Sequence, residues 1–160
     1  MSDKAAPDPE PVSGFESNTG DALTPPIRRG VVAVIVNDDR LLVIRRSQRV
    51  VAPGAFCFPG GAIESGESEA AALIREIQEE LGVCIRPLRP LWQSVTPWNV
   101  HLAWWLAEAE ASDCVWTPNA DEVESIHWLM PAEIQALPGL LESNHQFLRA
   151  LTAGVIVLEC

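Results

Sequence analysis

A chain of 160 residues with 48% hydrophobic and 21% charged content has the size and apolar share of one domain with a substantial core. Its net charge of -11 disfavours a protein that grips a nucleic-acid backbone. No basic start leads into an apolar segment and no apolar run is long enough for a bilayer, so no membrane role is expected. Cys57, Cys84, Cys114 and Cys160 fit no zinc or redox spacing, which predicts reduced thiols in a soluble, cytoplasmic protein.

Residues 1–27 are rich in proline, Asp, Glu, Ser and Gly and lack apolar periodicity, so they cannot offset the entropy of ordering. A flexible tail is expected there, with one domain over residues 28–160. Residues 31–36 form an unbroken aliphatic and β-branched run, Asn37-Asp38-Asp39 is a turn signal, and residues 41–44 form a second run: a buried hairpin. Strand alternation puts Arg45 and Arg46, at its end, on opposite faces. A loop through Pro53-Gly54 leads to a short strand at 56–58, and Pro59-Gly60-Gly61 predicts a tight turn.

The next element is a helix over Glu69–Leu81, with Ser68 as N-cap, Glu69 in the first turn and Gly82 as the stop. Ala70, Ile74, Ile77 and Leu81 are spaced to form its packing stripe. Strands are expected at residues 83–93, 100–109 and 124–129, a second helix from Pro131, and a third over 140–153. Strands on both sides of a central helix, with later helices free to cover the other face, predict an α/β fold with a mixed sheet between helices.

Three acids of that helix carry the chemical signal. At about 100° per residue Glu76 and Glu80 lie together beside the stripe, and Glu79 is displaced by roughly 60°, so all three can face one space. Carboxylates so placed resist joint ionisation unless a cation compensates. An oxygen-only donor set suits a hard divalent ion, Mg2+ first and Mn2+ as substitute.

The surrounding residues form a longer pattern: Gly61, five residues, Glu67, seven residues, Arg75-Glu76, an aliphatic, any residue, Glu79-Glu80, any residue, Gly82 and an aliphatic. In this pattern the chain resembles the Nudix hydrolases. The resemblance covers about residues 28–150 as a fold and implies an α/β/α sandwich. It also implies Mg2+-dependent attack of water on a diphosphate linkage in a nucleoside diphosphate joined to another moiety. The implied partner is thus a small nucleotide derivative, and the family likeness also suggests a homodimer. By the same resemblance Glu79 and Glu80 are metal ligands, Glu76 binds metal or accepts a proton from water, and the Gly60 carbonyl completes the metal shell. Arg75 orients Glu76, and Glu67 is an outer member of the box.

The family often adds a loop carboxylate, and Glu122 is the candidate here, against its reading as a solvated loop charge. Arg46 either reaches a substrate phosphate or sits in a surface salt bridge. Trp98, in an apparent turn, either stacks on a base or packs against the protein. His101, His127 and His145 are isolated from the box and are assigned no catalytic role. The chain has no tyrosine, which disfavours the dinucleoside polyphosphate branch. Arg46-Ser47 and Gly54 echo the coenzyme A branch at the wrong interval, and Pro97 is near, but not at, the ADP-ribose branch's proline. The rival from another class is a catalytically silent Nudix-like domain that binds a nucleotide to regulate. A third reading, hydrolysis at an RNA 5′ end, is disfavoured by the acidic balance.

Overall fold

The structure is a computed structural model and describes residues 8–9 and 27–159. The expectation of a flexible tail falls largely outside the described residues. Within them Asp8 is tied to the body of the protein through Ser143 and Trp98.

In chain order the elements are β1 (Arg28–Asn37), β2 (Arg40–Arg46), β3 (Phe56–Cys57), β4 (Gly60–Ala62) and α1 (Glu69–Leu81). They continue as β5 (Ile85–Val95), β6 (Val100–Ala109), β7 (Val123–Leu129), α2 (Pro131–Gln135) and α3 (Glu142–Thr152). The main sheet path runs β3-β2-β1-β6-β5, with β4 also paired to β1 and β7 to β2. Only β1 and β6 pair in parallel among these strands, so the sheet is mixed. β5 is at the end of the path, where Pro87 and Pro90 coincide with register shifts against β6 and cost no pairing to an outer neighbour.

The continuous apolar runs of β1 and β2 arise because both faces of the sheet are covered. Val31, Ala33 and Ile35 of β1 and Leu42 and Ile44 of β2 pack on the α1 side. Val32, Val34, Leu41 and Val43 pack on the other side, with Ile134 of α2 and Phe147 and Leu148 of α3. There Trp104 stacks on Phe147 with centroids 4.6 Å apart, and Phe58 meets Phe147 edge-on at 5.4 Å. The result is the expected α/β/α sandwich. No helix among the described residues is long and apolar enough to cross a membrane.

Three local expectations need correction. The stripe of α1 is Ala72, Leu73, Ile77 and Leu81; Ala70 is half-buried and Ile74 is 41% exposed. The line Leu73-Ile77-Leu81 follows steps of four and faces the sheet, which turns Ile74 out and draws Glu80 inward beside Ile77. The short strand ends at Cys57. Finally, Pro59-Gly60-Gly61 opens not a bare turn but strand β4, in register with β1 through Val32↔Gly60, Val31↔Gly61 and Gly30↔Ala62. Glycine permits this approach, because a Cβ on Gly60 would land on the Val31 carbonyl oxygen and one on Gly61 on the Glu76 carboxylate.

Candidate active site

The acidic helix is held by its own ends. Ser68 Oγ accepts from the Ala71 N–H at 3.1 Å, and Gly82, at φ 67°, turns its N–H back to the Gln78 carbonyl at 3.0 Å. These caps fix the azimuth of the acids between them.

Arg75 binds the loop to the helix. Its Nε and one terminal nitrogen donate to the two oxygens of Glu67, each at 2.8 Å. The same terminal nitrogen donates to the Ala62 carbonyl at 2.9 Å, and the other donates to Glu76 at 2.9 Å and Glu79 at 3.3 Å. A fork of five donors suits this work; an ammonium could not span it. Paired hydrogen bonds from Arg75, with help from the Glu64 backbone, lower the Glu67 carboxyl to about 2. Glu67 is therefore the arginine's main partner.

The inner acids have the opposite environment. Glu80 is 9% exposed, and its Oε2 has no hydrogen-bond partner among the described residues. Burial first, then the charges of Glu76 and Glu122, push its carboxyl up to about 8 against the opposing pull of Arg46 and the Gly60 backbone. Glu76 is also raised, by burial most of all, although Arg75 opposes the shift. Glu79 is half exposed and lies toward Arg75.

Glu122 comes from a loop whose anchoring sequence reading missed. Thr117 and Asn119 donate backbone N–H groups to the carbonyls of Leu81 and Glu80, both at 2.8 Å. Buried Ser47 donates its N–H to the Glu122 carbonyl at 3.0 Å and its hydroxyl to the Asp121 carbonyl at 2.7 Å. The loop thus closes across the last turn of α1 and brings Glu122 within electrostatic reach of Glu76 and Glu80. Ser47 and Asp121 stand 74 residues apart, so no local spacing could signal the contact.

Arg46 and Arg45 diverge as alternation requires. Arg46 donates to the Val51 carbonyl at 2.7 Å and faces the cavity and Glu80. Arg45 instead pairs with Glu124 at 3.0 Å and lies over the Phe56 ring. The cavity, of about 330 Å³, opens between β4, Arg46, Phe58 and the start of α3. Asn144 fixes that wall by accepting from the Phe58 N–H at 2.8 Å. Trp98 is 39% exposed and donates its indole N–H to the Asp8 carbonyl at 2.6 Å; it is not among the lining residues. Cys57, Cys84 and Cys114 carry no disulfide, burial pushes the Cys57 thiol up to about 11, and Cys160 lies outside the described residues.

Among the described residues no three His, Cys, Asp or Glu side chains stand close enough together to hold an ion as they are. Glu76 and Glu79 are drawn onto Arg75 instead. The inner set still fits a hard divalent cation: its donors are oxygens, one buried carboxylate oxygen lacks a partner, and its members raise one another's proton affinity.

The fold and this acidic helix define a class, and the comparisons agree on it. A model of the NUDIX domain matches residues 26–151, and the chain belongs to that family. It is 30% identical to the CTP pyrophosphohydrolase of Escherichia coli (strain K12) over 111 residues, 68% of this chain and 79% of that protein. It is 29% identical over 115 residues to the NAD-capped RNA hydrolase NudC of Stutzerimonas stutzeri (strain A1501), covering 71% of this chain but 40% of that protein. Against Nudix hydrolase 25 of Arabidopsis thaliana it spans 34% of the relative's length. Among solved structures, a MutT protein from Methanosarcina mazei Go1 shares the fold with a TM-score of 0.70 at 20% identity, over 84% of this chain and 99% of that one.

Proposed function

We propose that the protein hydrolyses a diphosphate linkage in a small nucleotide derivative, using a divalent cation with Mg2+ as first choice and Mn2+ as substitute. The observation that carries this reading is the buried carboxylate oxygen of Glu80, without a partner among the described residues, beside Glu76 and Glu122 and next to Gly60 and Arg46, which line a cavity of about 330 Å³. Glu76, Glu79 and Glu80, with the Gly60 carbonyl, would hold the ion. When bound, it neutralises phosphate oxygens and lowers the pKa of water.

The chain's own residues supply the rest. Arg75 fixes Glu76, the loop tied down by Ser47 fixes Glu122, and one of these two carboxylates takes the proton of the attacking water. The water oxygen bonds to phosphorus and the bridging oxygen leaves with the other phosphate. Arg46 faces the cavity beside Glu80, where its guanidinium suits a substrate phosphate. Trp98 touches the cavity only through Asp8, whose carbonyl accepts from its indole.

The likeness to a CTP pyrophosphohydrolase and to NudC makes nucleoside triphosphates and dinucleotides the first compounds to assay. The net charge of -11 favours a small nucleotide over polymeric RNA. The test is turnover of such a panel with Mg2+, by the wild type and by Glu79→Gln. Metal-dependent phosphate products that fall in the variant support the proposal. Binding without products from any compound would instead support the silent regulatory domain.

A further inference from the structure

Asp8 lies outside the segment matched by the family model, yet it is as covered as the metal-side acid: 6% exposed, against 9% for Glu80. Its Oδ1 accepts from the Ser143 N–H at 3.2 Å and from the Ser143 hydroxyl at 2.9 Å, and its carbonyl accepts from the Trp98 indole at 2.6 Å. Ser143 is itself 5% exposed. Asn144 commits its amide N–H to the Ser143 hydroxyl at 3.1 Å, so the donors at this end of the cavity are engaged within the chain. Asp8 and Pro9 both line the cavity that also reaches Arg46, Gly60 and Gly61.

We infer that Asp8 and Pro9 are an intramolecular competitor for the nucleotide: they occupy the donor seat of Ser143 and Trp98 that the nucleoside end of a substrate takes once Asp8 leaves. This rests on the cavity being the nucleotide site. The chemistry matches, because a base or sugar presents the same kind of acceptor oxygens and nitrogens as a carboxylate and a peptide carbonyl. The cavity also reaches Arg46 and Gly60, both beside Glu80 of the acidic helix, where the phosphates belong. A segment of the same chain acts at an effective concentration on the order of millimolar, enough to matter against a ligand of ordinary affinity.

The test compares the full chain with its Asp8→Ala variant in calorimetric titrations with the α,β-methylene analogues of CTP and GTP plus Mg2+. The variant is expected to bind about tenfold more tightly, and a synthetic peptide of residues 1–26 added in trans should reverse the gain. Asp8→Asn, which keeps the shape and removes the charge, should move affinity in the same direction by less. In turnover the Asp8→Ala change should lower KM and leave kcat unaltered. Equal or weaker binding by both variants, with the wild type still binding an analogue, overturns the competitor alone. Failure of wild type and variants alike to bind either analogue overturns the cavity as a nucleotide site, and the competitor with it.

Discussion

The two flanks of one short helix do opposite things with the same side chain. On the outer flank Glu67 and Glu79 are gathered by Arg75, and the Glu67 carboxyl is held near 2. On the inner flank Glu80 sits buried with Glu76 and Glu122 as neighbours, and its carboxyl is pushed up to about 8. The sequence pattern treats the box glutamates alike, but of them only Glu80 has a buried carboxylate oxygen with no partner among the described residues. Arg75 holds the outer flank in shape, and under the proposed function a cation would draw Glu79 from it to join Glu76 and Glu80.

Breaking the inner flank should have the largest effect. Glu80→Gln keeps shape and removes the charge, and is expected to lower kcat/KM on the order of 10³-fold while the apo protein folds at least as well as wild type. A stopped assay paired with thermal melting checks both halves. Breaking the outer flank should be milder for chemistry and harsher for structure. Arg75→Ala is expected to cost about 10²-fold in activity by releasing Glu76, with melting several degrees lower, and Arg75→Lys should restore little because an ammonium cannot make the fork.

The register of the helix can be sharpened by two neighbours. Leu73→Ala should destabilise by about 2–5 kcal/mol in urea unfolding, and Ile74→Ala by less than about 1 kcal/mol. If the two costs are equal, the packing face has been misassigned. The smallest effect concerns pH. The folded protein keeps the Glu80 proton up to about pH 8, whereas an ordinary carboxyl releases it near 4.5. The unfolded chain therefore binds fewer protons between those values, so the contribution present below pH 4.5 is lost as pH rises through 8. In chelator, melting should fall by a few degrees more between pH 5 and 8 for wild type than for Glu80→Gln, and Mg2+ should remove the difference.

Most of the fold was legible because its signals are local. Ser68 and Gly82 bracket α1 to the residue, and the β-branched runs of β1 and β2 announce strands covered on both faces. The stripe was misread because Ala70 and Ile74 fit the helical period as well as Ala72 and Leu73 do, and only the sheet decides between them. β4 was taken for a bare turn because a glycine pair signals turns, whereas here it permits close strand pairing.

The site divides along the same line. Arg75 and the box glutamates were legible from spacing, but their roles separate only once burial is known. Ser47, Asn119, Asn144 and Asp8 act through partners distant in sequence, and no periodicity reports such contacts. For Trp98 a turn position leaves both base stacking and packing open, and its contact with the Asp8 carbonyl, 90 residues away, has no local signal.

The proposed cation site requires Glu80 to keep a proton in the buried acidic cluster until a divalent cation replaces it. Titration of the metal-free protein with Mg2+ at pH 7 in buffers of different ionisation enthalpy measures this directly. Wild type is expected to release about one proton per ion bound and Glu80→Gln almost none. Proton release that is absent from wild type, or the same in both proteins, would contradict it.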